Sequence, residues 1–264
     1  MSLSNWIAHR QSKPDAAVRL FCVPYAGGPA AIYRSWTHQL SSQIEVCPVE
    51  LPGRGTRLLE KPFIAIGPLV ESLTTGLLPY SDKPFALFGH SLGALICFEL
   101  ARSLRREHAR TPLMLFASGA AAPQTTIPQS KLHLLPECEF RDSIRSLHGT
   151  PAEVLNDEDL MDIVSPILRA DCTVQETYLY TEEAPFVCPI SVFGGLEDEL
   201  VDYQKLCAWS KQTTGGFSLF PISGNHFFLV REQKAILAII VRELLKQKLA
   251  TDVPGFPGRL RPKG

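Results

Sequence analysis

Six short runs of nearly continuous apolar residues recur along the chain: VRLFCVP at 18–24, IEVCPVEL at 44–51, FALFG at 85–89, LMLFASG at 113–119, ISVFGG at 190–195 and FSLFPI at 217–222. A strand with one face in water alternates polar and apolar residues, whereas a run apolar at both parities belongs to a strand covered on both faces. The stretches between the runs carry helical periodicity, as at 92–107, where Leu92, Ile96, Leu100 and Leu104 recur every fourth residue. Strands alternating with helices predict an α/β architecture, a mostly parallel sheet flanked by helices.

The alternation breaks once. From about 124 to 185 the chain turns polar, acidic and helical, with NDEDLMDIVSPILRADC and several prolines. An insertion at this place in an α/β enzyme commonly folds over the site, so a helical lid is expected there. The expected organisation is one domain over 1–264, with its core at about 18–123 and 186–248 and the lid at about 124–185. A disordered tail is expected at about 251–264, because TDVPGFPGRLRPKG puts three prolines and three glycines in fourteen residues.

Composition excludes several classes. A net charge of −1 over 264 residues provides no global field to recruit nucleic acid or a membrane surface. The N-terminal stretch has no apolar segment of signal-peptide length, and AILAIIVRELL at 235–245 is too short to span a bilayer. Cys22, Cys47, Cys97, Cys138, Cys172, Cys188 and Cys207 are odd in number, scattered and without a CxxC pair. That is the pattern of free thiols in a reducing compartment, so a cytoplasmic protein is expected, and no Cys/His cluster has the spacing of a metal site.

The chemistry starts at ALFGHSLGALICFEL, residues 86–100. A strand runs directly into G-H-S-L-G and then into a helix, the setting of a nucleophile elbow. Gly89 and Gly93 clear the space that such a tight turn needs, and the helix N-terminus turns free N–H groups toward negative charge. Ser91 is therefore a candidate nucleophile, and a serine hydroxyl needs a base. His90 points away from its neighbour on a sharp turn and is expected to pack beneath the elbow. His226, in a loop after the last strand, is the candidate base. The acid that orients it comes from ISVFGGLEDELV: Glu197, Asp198 and Glu199 all follow a strand, with Asp202 close behind, and periodicity does not choose among them. The order serine, acid, histidine is that of the α/β hydrolases. For a tetrahedral oxyanion, the N–H of Leu92 is one donor. The loop CVPYAGGPAA supplies the other from Tyr25 or Ala26, since Pro24 has no N–H.

The stretches FCVPYAGGPAAIYRSW, VELPGRGTRLLEKP, PFALFGHSLGALICFELARSL, GTPAEVL, ILRADC, CPISVFGGLEDELV and GNHFFL run in order from about 18 to 245. In these stretches the chain resembles the type II thioesterases, free-standing α/β hydrolases that accompany non-ribosomal peptide and polyketide synthases. The resemblance implies the α/β-hydrolase fold. It selects Asp198, the aspartate of GG-x-x-D, as the acid beside Ser91 and His226, and places the second oxyanion donor on Ala26, with Tyr25 the near alternative. It further implies hydrolysis of acyl or aminoacyl thioesters on the phosphopantetheine arm of acyl or peptidyl carrier proteins, clearing misprimed or stalled units. No cofactor of the enzyme's own is implied, since the phosphopantetheine belongs to the partner. With no interface signature visible, a monomer is expected. Two departures stand out: in PGRG the residue after the arginine is not the acidic one usual in the family, and GHSLG replaces the commoner GHSMG. Arg54 and Arg57 are expected to be structural. The same triad would also serve a medium-chain fatty acyl thioesterase or a small-molecule esterase or acyltransferase.

Overall fold

The computed structural model describes residues 5–125, 131–147 and 149–251, the last four as backbone only. The expected tail lies outside the described residues except for Thr251, which closes the last helix.

The six apolar runs form six strands, β1 (Val18–Val23), β2 (Ile44–Pro48), β3 (Phe85–His90), β4 (Met114–Ser118), β5 (Ile190–Gly195) and β6 (Phe217–Ile222). They build one sheet in the order β2-β1-β3-β4-β5-β6, and every pair is parallel. Two strands end where proline removes the N–H that the ladder needs: β1 stops before Pro24 and β2 stops at Pro48. Beyond β2, Val49 pairs instead with Ile7 in an isolated antiparallel bridge.

Four short or long helices join the first strands: α1 (Trp36–Gln39) precedes β2, α2 (Ile66–Leu77) precedes β3, and α3 (Leu92–His108) follows β3, while α4 (Glu137–Ser146) opens the segment after β4. That segment continues through α5 (Ala152–Leu155) and α6 (Glu158–Glu176) before the chain returns to β5. α7 (Tyr203–Cys207) separates β5 from β6, and α8 (Phe228–Arg231) and α9 (Gln233–Thr251) end the fold.

Period-two alternation assigns each strand to two cores. Phe21 and Val23 of β1 and Phe85 and Leu87 of β3 face α2 and α3, against Leu69, Leu73, Leu77 and Leu100. Leu20, Cys22, Ala86 and Phe88 face the other way, against Tyr33, Trp36, Ile236 and Ile240. β6, at the edge of the sheet, departs from the expected burial, with Phe217–Phe220 only half-buried and Pro221 exposed. Both faces of β1 to β5 are covered, which is why those runs read as continuously apolar. The exceptions are Arg19 and Glu45, directly opposite in the β1–β2 register and joined at 2.8 Å; burial of this pair is made tolerable by Arg10 and Asp82 around it. The segment between β4 and β5 has a small core of its own, Phe140, Ile144 and Leu168. Arg141 ties it further by ion pairs to Glu137, Glu158 and Asp162.

The chain leaves β1 toward one edge, makes β2, then returns to the opposite side of β1 for β3. At such a switch of direction the connections diverge and leave a crevice at the C-terminal strand ends. The turn after β3 carries Ser91, the loop after β1 carries Tyr25 and Ala26, and the loops after β5 and β6 carry Asp198 and His226.

Candidate active site

Ser91 joins β3 to α3 with φ 53° and ψ −119°, in a region that residues with a Cβ avoid. Such strain persists only when the surroundings enforce it. Its N–H is held by Ser118 O of the neighbouring strand at 2.8 Å. A Cβ at Gly89 would collide with the backbone of Gly93 and Ala94, and one at Gly93 would collide with Val23 O and Pro24 O. The two glycines thus serve different approaches. Gly89 lets the helix fold back over its own strand, and Gly93 lets the helix start lie against the end of β1, beside the Tyr25–Ala26 loop.

His226, in the loop after β6, comes directly against Ser91. Its Nε2 is 3.0 Å from Ser91 Oγ and its Nδ1 is 2.8 Å from Asp198 Oδ2. A carboxylate only accepts, so Nδ1 carries the hydrogen, and the Nε2 lone pair is left facing the serine hydroxyl. Asp198 is itself fixed, because its Oδ1 accepts from the N–H of Leu200 at 2.9 Å and Val201 at 3.2 Å. Among the four acids that periodicity left open, Asp198 alone reaches the histidine: its side chain is 1% exposed, Glu197 and Glu199 are exposed, and Asp202 caps α7 through Lys205 N–H.

His90 is completely buried beneath the elbow, with Nε2 3.0 Å from His226 O and Nδ1 2.9 Å from Ser118 Oγ. A carbonyl accepts, so Nε2 carries the hydrogen and the Ser118 hydroxyl donates to Nδ1. The neutral ring therefore braces the backbone of His226 from below. Burial, reinforced by the neighbouring His226, pushes the His90 pKa down to about 3. The folded protein thus keeps this ring neutral where the unfolded chain takes up a proton near pH 6.5. The stability it contributes is complete above pH 6.5 and is lost as the pH falls from there toward 3. Between those limits we expect wild type to lose about 1.4 kcal/mol per pH unit more than His90→Asn, measured by urea denaturation at stepped pH. Parallel profiles for the two proteins would refute a buried neutral imidazole.

In the loop after β1, Gly28 N–H bonds to Tyr25 O at 2.9 Å, and Gly27 has φ 75° while Ala26 has an ordinary negative φ. This is a type II turn, whose positive φ at the third position favours glycine. Among the described residues, no hydrogen bond takes up the N–H of Tyr25 or Ala26. The rest of the loop is anchored by groups to which the sequence assigned no role. Gly27 N–H donates to Asp171 Oδ2 at 2.6 Å, and Ala30 N–H donates to Glu50 Oε1 at 2.9 Å. Arg54 forms a buried fork with the same Asp171, Nη1 to Oδ2 at 2.6 Å and Nη2 to Oδ1 at 2.9 Å. Arg57 pairs with Glu60 and lies 4.1 Å from the Trp6 ring centre. Neither arginine touches the triad. The inserted segment meets the site at a second place, where Gly149 packs so closely on Phe227 that a Cβ there would overlap the ring. Among the described residues, no group of three or more His, Cys, Asp or Glu is placed to hold a metal, and no helix is long and apolar enough to cross a membrane.

A family model described as the thioesterase domain matches residues 18–244. The gramicidin S biosynthesis protein GrsT of Aneurinibacillus migulanus is 42% identical over 242 residues, which cover 92% of this chain and 94% of that protein. Linear gramicidin dehydrogenase LgrE of Brevibacillus parabrevis is 42% identical over 243 residues, 91% of this chain and 92% of that one. The type II thioesterase BorB from the borrelidin biosynthetic cluster superposes with a TM-score of 0.83 at 36% identity, over 90% of this chain and 97% of that one. The chain belongs to the thioesterase family. It is a thioester hydrolase of the α/β-hydrolase fold, and it stands with the type II enzymes.

Proposed function

We propose that Ser91 is the nucleophile, His226 the general base and Asp198 the acid that orients it, and that the thioesters cleaved are acyl or aminoacyl groups on the phosphopantetheine arm of carrier-protein domains. In this reading the enzyme removes misprimed or stalled units from a non-ribosomal peptide or polyketide synthase. The observation that carries it is the unbroken chain Ser91 Oγ, His226 Nε2, His226 Nδ1, Asp198 Oδ2, with links of 3.0 and 2.8 Å.

The steps follow from that chain. Ser91 Oγ attacks the thioester carbonyl while its proton passes to His226 Nε2. The resulting oxyanion lies at the start of α3, against the N–H groups of Leu92 and Ala26. Collapse breaks the carbon–sulfur bond, and His226 returns the proton to the departing thiol. Water then repeats the sequence on the acyl-serine, with His226 again as base, and the acid leaves. Asp198 keeps Nδ1 protonated throughout, and His90 holds the backbone of the base. No metal or organic cofactor takes part in these steps; the pantetheine comes with the substrate.

The test compares acetyl and longer acyl groups on a phosphopantetheinylated carrier protein with the same groups on pantetheine, for wild type and Ser91→Ala. We expect turnover that vanishes in the variant and a kcat/KM at least tenfold higher for carrier-bound substrate. Equal kcat/KM on both forms would make it a small-thioester hydrolase, and turnover of carboxylic esters alone would refute the thioesterase reading.

A further inference from the structure

We propose that Asp171 is a positioning residue for the oxyanion hole: through its bond to Gly27 N–H it holds the turn that presents the Ala26 N–H, and so ties catalysis to the seating of the inserted helices. The inference rests on the roles given above to Ser91 and Ala26.

Three anchors hold the loop after β1. At its base Tyr33 Oη donates to Val23 O at 3.0 Å, and at its far end Glu50 takes the Ala30 N–H. Both come from the same end of the fold as the loop itself. The anchor at the tip comes from elsewhere, since Asp171 belongs to α6, 144 residues away in the chain. α6 also places Leu168 so tightly on the turn that a Cβ at Gly27 would run into its Cδ2. Asp171 fixes the Ala26–Gly27 peptide through the Gly27 N–H. The Gly28 N–H bond to Tyr25 O holds the adjoining Tyr25–Ala26 peptide, which carries the Ala26 N–H, so the four-residue turn is oriented as a unit.

A carboxylate close to a developing oxyanion is by itself unfavourable, because like charges repel. Arg54 removes that objection. Its fork covers both oxygens of Asp171, and the two side chains are 5% and 6% exposed. Asp171 therefore accepts from the turn as half of a neutralised pair, and the PGRG loop, the inserted helix and the oxyanion turn meet at one carboxylate. If α6 lifts, the turn loses its tip anchor while the triad, built on β3, β5 and β6, remains whole. In that state the serine stays activated but the oxyanion is poorly met.

The test uses acetyl-pantetheine, too small to depend on the width of an entrance, and a fluorophosphonate that labels the active serine without any thioester chemistry. Wild type, Asp171→Ala and Arg54→Lys are compared after their folding is checked by circular dichroism. For Asp171→Ala we expect kcat to fall about 30- to 100-fold with KM within threefold, and the labelling rate to fall in proportion. Arg54→Lys keeps a cation beside Asp171 and leaves the Gly27 bond, so its kcat should stay within about fivefold of wild type. Should Asp171→Ala not fold, Asp171→Asn replaces it, with about a tenfold loss expected in both readouts. A kcat and labelling rate within twofold of wild type, or a rise in KM alone, would overturn the inference and leave the thioesterase reading standing. A wild type that labels but hydrolyses no thioester would sink that reading instead, and the labelling rates would still decide the role of Asp171.

Discussion

Asp198→Asn should lower kcat/KM about 10⁴-fold while leaving the fold intact. The size of the effect follows from which oxygen does what. Asp198 Oδ1 already accepts two backbone N–H groups, from Leu200 and Val201, so an asparagine must place its carbonyl oxygen there. Its NH2 is then turned toward His226 Nδ1, where the carboxylate oxygen had been. A donor facing Nδ1 forces the imidazole hydrogen onto Nε2, and a protonated Nε2 cannot take the proton of Ser91. The substitution thus inverts the base instead of merely weakening it. Glu197→Gln and Glu199→Gln, on exposed side chains of the same loop, should change kcat/KM less than twofold. A loss of only a few-fold in Asp198→Asn, or a large loss in either glutamine variant, would mean that another acid orients the base.

The second large effect is expected at Gly93, away from any titrating group. A Cβ there overlaps Val23 O and Pro24 O, both backbone atoms that cannot rotate aside. The first turn of α3 must lift from β1, or β1 must retreat. We expect Gly93→Ala to cost about 3 kcal/mol of stability, at the upper end of overpacking effects. Activity should fall about 100-fold in the protein that remains folded, because the Leu92 N–H moves with the helix relative to the loop after β1. Thermal melts together with kcat at a temperature well below the transition would separate the two effects. A variant as stable and active as wild type would show that the helix start does not lie against β1.

Much of this is legible in the sequence. Burial on both faces makes β1 to β5 continuously apolar, and the six runs match the six strands to within three residues at every end, the last two residue for residue. The elbow was legible because its turn tolerates so few residues, and Ser91 and His226 stand out by their place after strands. What local pattern did not supply was everything decided by contacts distant in sequence. Four acids follow β5 with the same spacing to within a few residues, and only the fold shows which carboxylate faces inward. The motif ILRADC was visible, yet nothing local says that Asp171 reaches across 144 residues to Gly27. Likewise Arg54 and Arg57 read alike in PGRGTR, but one forks onto Asp171 and the other stacks on Trp6. Arg19 and Glu45 interrupt apolar strands and make sense only once β1 and β2 are placed side by side.

The central claim is that an acyl group passes through Ser91. The most direct measurement mixes excess acyl-carrier protein with enzyme, stops the reaction within milliseconds to seconds, and follows both free carrier thiol and the intact enzyme mass. The account predicts a rapid phase of thiol release no larger than one equivalent of enzyme. With it should come an enzyme heavier by one acyl group, the added mass mapping to the peptide that contains Ser91, and neither signal should occur in Ser91→Ala. Thiol release undiminished in Ser91→Ala, or an acyl group found on a cysteine instead, would contradict it.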